Sequence, residues 1–90
     1  MYFVPAKIGL KERKKSKMNL DKCKRIYNMF YGYCYILNEK ENRYLIYSEN
    51  LVKKNWQPYI VCEYIDAMNF MIGQKFFYTL EEANLVFEEQ

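Results

Sequence analysis

The segment 33–49, YCYILNEKENRYLIYSE, carries the strongest structural signal in this 90-residue sequence. Two runs rich in aromatic and aliphatic residues, YCYIL (33–37) and RYLIYSE (43–49), flank the polar stretch NEKEN (38–42). The flanking runs have the composition of strands, and the polar stretch has the length of a hairpin loop. The sequence therefore predicts an antiparallel β-hairpin at the centre of the chain.

Downstream of the hairpin, the sequence predicts a short helix and two long strands. Ser48 can cap a helix through ENLVKKNW (49–56), which Pro58 would close. A third strand is predicted in PYIVCEYI (58–65), and DAMN (66–69) forms a turn. FMIGQKFFY (70–78) is predicted as a fourth strand, with Gly73 marking a bulge or a close approach of another group.

The last element is a predicted helix that begins at TLEE (79–82). Thr79 and Glu82 have the spacing of a capping box, in which each side chain binds an amide at the helix start. The apolar residues after the cap recur at helical spacing and form one face: Leu80, Ala83, Val86 and Phe87.

Upstream of the hairpin, YFVPAKI (2–8) has the composition of an edge strand with a proline inside it. A helix is predicted from Asn19 to Gly32, because apolar residues recur at helical spacing: Leu20, Cys23, Tyr27 and Phe30. The alternative is a strand that runs through IYNMFYGYCYIL (26–37).

Together these elements predict an α+β fold. We expect a four- to five-stranded antiparallel sheet with an N-terminal helix and a C-terminal helix packed on it, in a single domain over residues 1–90. Apolar residues make up 51% of the chain and aromatic residues 19%, which is enough to bury a core and excludes disorder over most of the length. A basic loop or arm is expected at about residues 10–19.

Charge is distributed unevenly along the chain. Residues 1–25 hold nine basic and two acidic side chains, a net charge of +7, whereas residues 26–90 hold five basic and nine acidic ones, a net charge of −4. The stretch LKERKKSKMNLDKCKR (10–25) is the most basic. It is either a solvated arm or a contact for nucleic acid or for an acidic protein surface.

Several kinds of site are disfavoured by composition. The chain contains no histidine, which removes histidine bases, nucleophile–histidine pairs and the common zinc sites. Three glycines cannot build a phosphate-binding loop, and the glutamates at 81, 82, 88 and 89 suit a solvated helix face better than an acid–base pair. Glu63 could point inward from its strand, but such a glutamate is more often exposed. We therefore expect no enzyme activity, metal or cofactor.

The three cysteines, Cys23, Cys34 and Cys62, are too few and too scattered for a disulfide framework and favour reduced thiols. No apolar stretch approaches the roughly 18 residues of a membrane span. The sequence thus predicts a cytoplasmic protein without a membrane contact.

Both faces of the predicted sheet carry apolar or aromatic side chains. Tyr33 and Tyr35 alternate with Cys34 and Ile36, so either helices cover both faces or one face is open to a partner. An open tyrosine-rich face would be an interface, because tyrosine, tryptophan and arginine dominate binding hot spots. Trp56 is expected on a loop, where it would contact a partner as readily as it would pack.

The C-terminal part of the chain, WQPYIVCEYIDAMNFMIGQKFFYTLEEANLVFEE (56–89), resembles in size and style the tails of small accessory proteins from phages and mobile elements, including anti-CRISPR proteins. The resemblance implies a short cytosolic protein, mostly non-enzymatic, that blocks a host nuclease or its nucleic-acid groove. It covers about a third of the chain and transfers no site residue.

Two binding hypotheses follow. The first is a protein-binding inhibitor that occludes a nuclease or another nucleic-acid-handling protein, through Tyr33, Tyr35, Trp56, Glu81, Glu82, Glu88 and Glu89. The alternative is a nucleic-acid binder that uses nearby aromatic residues and the basic side chains Lys11, Arg13, Lys14, Lys15, Lys17, Lys22, Lys24 and Arg25. Self-association through an open sheet face is compatible with either.

Overall fold

The predicted hairpin is confirmed at the centre of the fold. In the computed structural model, which describes residues 19–89, strand β2 (Gly32–Lys40) pairs antiparallel with strand β3 (Arg43–Ser48). The connecting turn contains only Glu41 and Asn42, and the register shifts between Ile36 and Asn38. Beyond this irregularity, β2 continues past the predicted strand end into the polar stretch.

The α+β fold and the five-stranded antiparallel sheet are also confirmed. Strands β1 (Lys24–Asn28), β2, β3, β4 (Tyr59–Cys62) and β7 (Lys75–Phe77) lie side by side in that order. Strands β5 (Tyr64–Ile65) and β6 (Met71–Ile72) form a second, two-stranded sheet. The predicted strand at 2–8 and all but the last residue of the basic arm expected at about 10–19 lie outside the described residues.

The predicted helix from Asn19 to Gly32 is wrong. A 3-10 helix (Leu20–Lys22) is followed by strand β1, which pairs with β2. The helical pattern fails because two of its four apolar residues, Tyr27 and Phe30, remain exposed, whereas strand alternation buries Asn28 and half-buries Ile26. The alternative of one strand through 26–37 is interrupted as well, because the chain turns at 29–31 before Gly32, whose φ is +74°.

The two long strands predicted at 58–65 and 70–78 are each divided between the two sheets. The first breaks at Glu63 and the second at Gly73, and the Glu63 amide donates to the Ile72 carbonyl at 2.9 Å across the break. Gly73 has a φ of +72°, and a Cβ at this position would lie 3.0 Å from Cδ of Glu63. The close approach predicted at Gly73 is therefore confirmed, and the approaching group is the Glu63 side chain.

Both short helices begin where the sequence places them. Helix α1 (Glu49–Lys53) begins at Ser48, whose Oγ accepts from the Leu51 amide at 3.2 Å. It ends before the predicted Trp56, because the chain enters the left-handed region at Asn55 with φ +59°. Helix α2 (Leu80–Glu88) begins at Thr79, whose Oγ1 accepts from the Glu82 amide at 3.1 Å.

Arg43 closes the other end of α2. Its Nη1 donates to the carbonyl oxygens of Val86 and Phe87, at 3.1 and 2.9 Å, and to that of Glu89. The last carbonyls of a helix have no partner within the helix, and a cation there also suits the negative end of the helix dipole. The first residue of β3 thus fixes the end of α2 on the sheet.

Apolar side chains cover both faces of the five-stranded sheet, as the alternation predicts. On one face, Cys34, Ile46, Ile60 and Cys62 pack with Leu51 of α1 and Met71 of the small sheet. On the other face, Leu45 and Val61 pack with Ala83 and Phe87 of α2. Helix α2 packs mainly against β3, β4 and β7, so the edge strand β1 and its neighbour β2 extend beyond most of its cover.

Candidate interaction surfaces

A group of tyrosines occupies the sheet face that α2 covers only in part. Tyr35 on β2 pairs with Tyr47 on β3, which pairs with Tyr59 on β4, and Arg25 on β1 pairs with Tyr35. Side chains of directly paired residues lie on the same face. Tyr27 and Tyr33, two residues along on β1 and β2, also pair. We call this set the tyrosine surface: Arg25, Tyr27, Tyr33, Tyr35, Tyr47 and Tyr59.

The rings of the tyrosine surface contact one another and the arginine. The Tyr27 and Tyr33 ring centroids lie 5.1 Å apart in an edge-to-face arrangement, and the Tyr47 and Tyr59 centroids lie 5.2 Å apart. The Arg25 guanidinium carbon lies 4.5 Å from the Tyr33 ring centroid, within the range of a cation–π interaction. The surface therefore joins an edge-to-face ring pair and a tilted ring pair to a positive charge.

Exposure varies across this surface. Tyr27 and Tyr33 are each 55% exposed, whereas the other three tyrosines are half-buried. Burial raises the pKa of Tyr59, and burial followed by the charges of Tyr59, Glu49 and Tyr35 raises that of Tyr47. These two hydroxyls stay protonated at neutral pH and can both donate and accept hydrogen bonds.

Three glutamates of α2 and Glu89, which directly follows the helix, surround an exposed leucine. Leu85 is 70% exposed. Glu81 and Glu82 lie four and three residues before it, and Glu88 and Glu89 lie three and four residues after it, and all four are exposed. At 3.6 residues per turn, all four lie within roughly 60° of Leu85 around the helix axis. We call these five residues the acidic helix face.

Sequence reasoning identified the four glutamates of this face and overlooked Leu85. The same i±3 and i±4 spacing would have identified it. Within the face, Glu88 pairs with Lys40 at 2.7 Å. Both side chains are exposed, so this ion pair contributes only about 0–1 kcal/mol and leaves Glu88 available to a partner.

A third exposed group lies where the β1–β2 turn meets the β5–β6 loop. Met29, Phe30 and Met68 are 63%, 66% and 68% exposed, and the Phe30 ring centroid lies 5.7 Å from that of Phe70. We call Met29, Phe30 and Met68 the apolar tip. Exposed methionine is common at adaptable binding surfaces.

Two asparagines fix the turn and the loop that carry the apolar tip. Asn28 is 1% exposed; its Nδ2 donates to the Asn69 carbonyl at 2.7 Å, and its Oδ1 accepts from the amides of Phe30 and Tyr31 at 2.7 and 3.0 Å. In return, Asn69 Nδ2 donates to the Tyr27 carbonyl at 3.0 Å. We call Asn28 and Asn69 the asparagine pair.

The two core thiols are poorly suited to nucleophilic chemistry. Burial raises the pKa of Cys34 to about 11, partly offset by a hydrogen bond with Ser48, and burial raises the pKa of Cys62 to about 12. The thiolate is the reactive form of cysteine, so both side chains are inert at neutral pH. Cys62 also lines a groove of about 350 Å³ together with Glu63, Lys75 and Arg43.

The predicted protein-binding residues fall into three places. Tyr33 and Tyr35 share the tyrosine surface, and the four glutamates share the acidic helix face. Trp56 lies on the loop after α1, as expected, and is half exposed, with its amide bonded to the Leu51 carbonyl at 2.9 Å. Glu63, whose strand position allows an inward orientation, is exposed.

Of the three predicted nucleic-acid-binding residues that the structure describes, Arg25 alone lies on the tyrosine surface. Lys22 is exposed in the 3-10 helix, and Lys24 pairs with Ile36 and so lies on the opposite sheet face. Lys11, Arg13, Lys14, Lys15 and Lys17 lie outside the described residues.

Within residues 19–89, no three histidine, cysteine or acidic side chains converge on a position that could hold a metal ion. Neither described helix has the length and apolar character needed to cross a bilayer. A scan against protein-family models gave no match, and searches of curated proteins and of solved structures gave none either.

Proposed function

We propose that this chain is a non-enzymatic binding protein that acts by occupying the surface of a protein partner. The observation that carries the proposal is the exposed Leu85 at the centre of four exposed glutamates on the acidic helix face. The solvent-exposed side chain of Leu85 contributes nothing to the core of this chain. Its burial by a partner is favourable by about 1.5–3 kcal/mol.

The charge of this face supports a basic partner. The four carboxylates attract a positively charged groove at long range. Leu85, at the centre of the face, would then form a contact from which water is excluded. Grooves of that sign are typical of proteins that bind nucleic acid. The resemblance to small phage accessory proteins supports the same class, a nuclease or another nucleic-acid-handling protein that is inhibited by occlusion. The two inert core thiols suit a reducing cytoplasm.

The test begins with affinity capture from the host lysate by the tagged 90-residue chain, with nuclease treatment to remove partners bridged by nucleic acid. The captured partner is then purified and titrated with variants of the chain. We expect Leu85→Ser to weaken the partner's affinity at least about tenfold, because the anchor is lost. Replacing the four glutamates with glutamine is expected to slow association and to reduce its salt dependence.

Val52→Ser is the matched control, because Val52 is also an exposed aliphatic residue on a helix, α1, and is remote in sequence from the acidic helix face. Trp56→Ala tests whether Trp56, on the loop after α1, contacts the partner as predicted. Unchanged affinity in a variant that combines Leu85→Ser with the four glutamine substitutions would reject the acidic helix face as the contact.

A further inference from the structure

We propose that the tyrosine surface binds single-stranded nucleic acid, with unpaired bases stacking on Tyr27 and Tyr33 and with Arg25 contacting the phosphate backbone. The proposal goes beyond the acidic helix face. It rests on different residues, on strands β1 and β2, where the cover of α2 ends.

The first support is the accessibility and closeness of the two rings. Tyr27 and Tyr33 are each more than half exposed, although their centroids lie only 5.1 Å apart. Exposed aromatic rings on a sheet accept bases of any sequence, because every base has a π face. A short unpaired segment can therefore reach both rings at once. Duplex bases are already stacked, so this contact selects single strands.

The second support is the position of the positive charge. The Arg25 guanidinium lies over one face of the Tyr33 ring, 4.5 Å from its centroid, so the charge is held against this ring before any ligand binds and a base must stack on the other face. Lys22 adds an exposed cation just before β1. Arginine and lysine beside stacking aromatics are the combination that single-strand binding surfaces use.

Acidic groups limit the extent of the contact. Glu49 lies close enough to the Tyr47 hydroxyl to affect its ionisation, and the acidic helix face lies on α2, which covers β3, β4 and β7. A phosphate backbone is repelled from that side. We therefore place the contact on β1 and β2, with room for only a few nucleotides.

The test is fluorescence anisotropy with the 90-residue chain and two labelled probes, oligo-dT and oligo-rU of about 15 nucleotides, at about 50 mM salt. The key variant is Tyr27→Leu/Tyr33→Leu. Tyr64→Leu/Tyr78→Leu is the matched control, because Tyr64 and Tyr78 are exposed to a similar degree but lie outside the tyrosine surface. Circular dichroism and thermal melting confirm that each variant is folded.

We expect the Tyr27/Tyr33 variant to bind at least about tenfold more weakly than the natural chain, since stacking contributes roughly 5- to 150-fold per base. The control is expected to stay within about twofold. Arg25→Gln should weaken binding and flatten its salt dependence. Leu85→Ser should leave the oligonucleotide affinity unchanged, which separates this proposal from the one for the acidic helix face.

Three results would overturn the proposal. The first is no saturable binding of either oligonucleotide by the natural chain. The second is equal weakening by the Tyr27/Tyr33 variant and its control, which would assign the affinity to other charges of the chain. The third is binding of a duplex of the same length as tightly as the single strands. A partner protein lost from the Tyr27/Tyr33 variant, with no oligonucleotide bound, would assign the surface to protein recognition instead.

Discussion

Replacing Asn28 with alanine should destabilise the protein more than any exposed asparagine substitution does. The side chain is 1% exposed and makes three hydrogen bonds, one donated to the Asn69 carbonyl and two accepted from the amides of Phe30 and Tyr31. Alanine removes all three at once. The β1–β2 turn and the β5–β6 loop then lose the bond between them that Asn28 supplies.

The magnitude follows from these three bonds. Each contributes about 1 kcal/mol net, and a partner left unsatisfied in a buried position adds to the loss. Phe30 is exposed and Tyr31 is half-buried, so water can reach part of the turn and reduce that addition. We expect the free energy of unfolding to fall by about 2–4 kcal/mol, which lowers the melting temperature by roughly 10–25 °C in a domain of this size.

The assay is equilibrium unfolding in urea, followed by the fluorescence of Trp56, the single tryptophan, and by circular dichroism. Asn69→Gly keeps the left-handed φ of +66° and loses one bond to the Tyr27 carbonyl, so about 1 kcal/mol is expected. Asn84→Ala, on the exposed side of α2, serves as the control and should stay within about 0.5 kcal/mol. If Asn28→Ala also stays within that range, the reasoning is refuted.

Three further predictions concern the thiols, the pH dependence and Gly73. With a thiol reagent at pH 8, only the partly exposed Cys23 should react quickly, because a pKa of about 11 or 12 leaves Cys34 and Cys62 with a thiolate fraction of about 0.1% or less; three fast thiols would contradict this. The free energy of unfolding should fall as pH rises above about 9, because Cys34, Cys62, Tyr47 and Tyr59 lose their protons at lower pH in the unfolded chain than in the folded one. Thermal melts between pH 7 and pH 10.5 measure this, and equal stability across that range would exclude it. Gly73→Ala should lower the free energy of unfolding by about 1–2 kcal/mol because of the positive φ, and further because the new Cβ meets the Glu63 side chain. Adding Glu63→Ala should recover the steric part of this loss. Urea unfolding measures both, and a Gly73→Ala protein as stable as the natural one would contradict the prediction.

The candidate surfaces could be predicted only in part. The four glutamates of the acidic helix face and the shared face of Tyr33 and Tyr35 follow from helical and strand periodicity, which are local properties. The approach of Arg25 to Tyr33 does not, because it depends on the pairing of β1 with β2, and β1 was predicted as helix. The aromatic residues of 26–33 fit both the helical period of about 3.6 residues and the strand period of about two. Only pairing with the neighbouring strand selects the strand over the helix.

The sequence by itself determined the elements whose signals are local. The alternation and polar turn of the central hairpin and the caps at Ser48 and Thr79 are each specified within a few residues. Gly73 marks the place of a close approach, but the approaching group, Glu63, is fixed by the tertiary structure. Tertiary structure decided which sheet each half of the two divided strands joins. One strand breaks at Glu63 and the other at Gly73, and these two residues, ten apart in sequence, lie against each other at the break. It also made 24–28 a strand, because pairing with β2 satisfies the backbone amides and carbonyls along that segment. The sequence of the segment alone does not specify this partner strand.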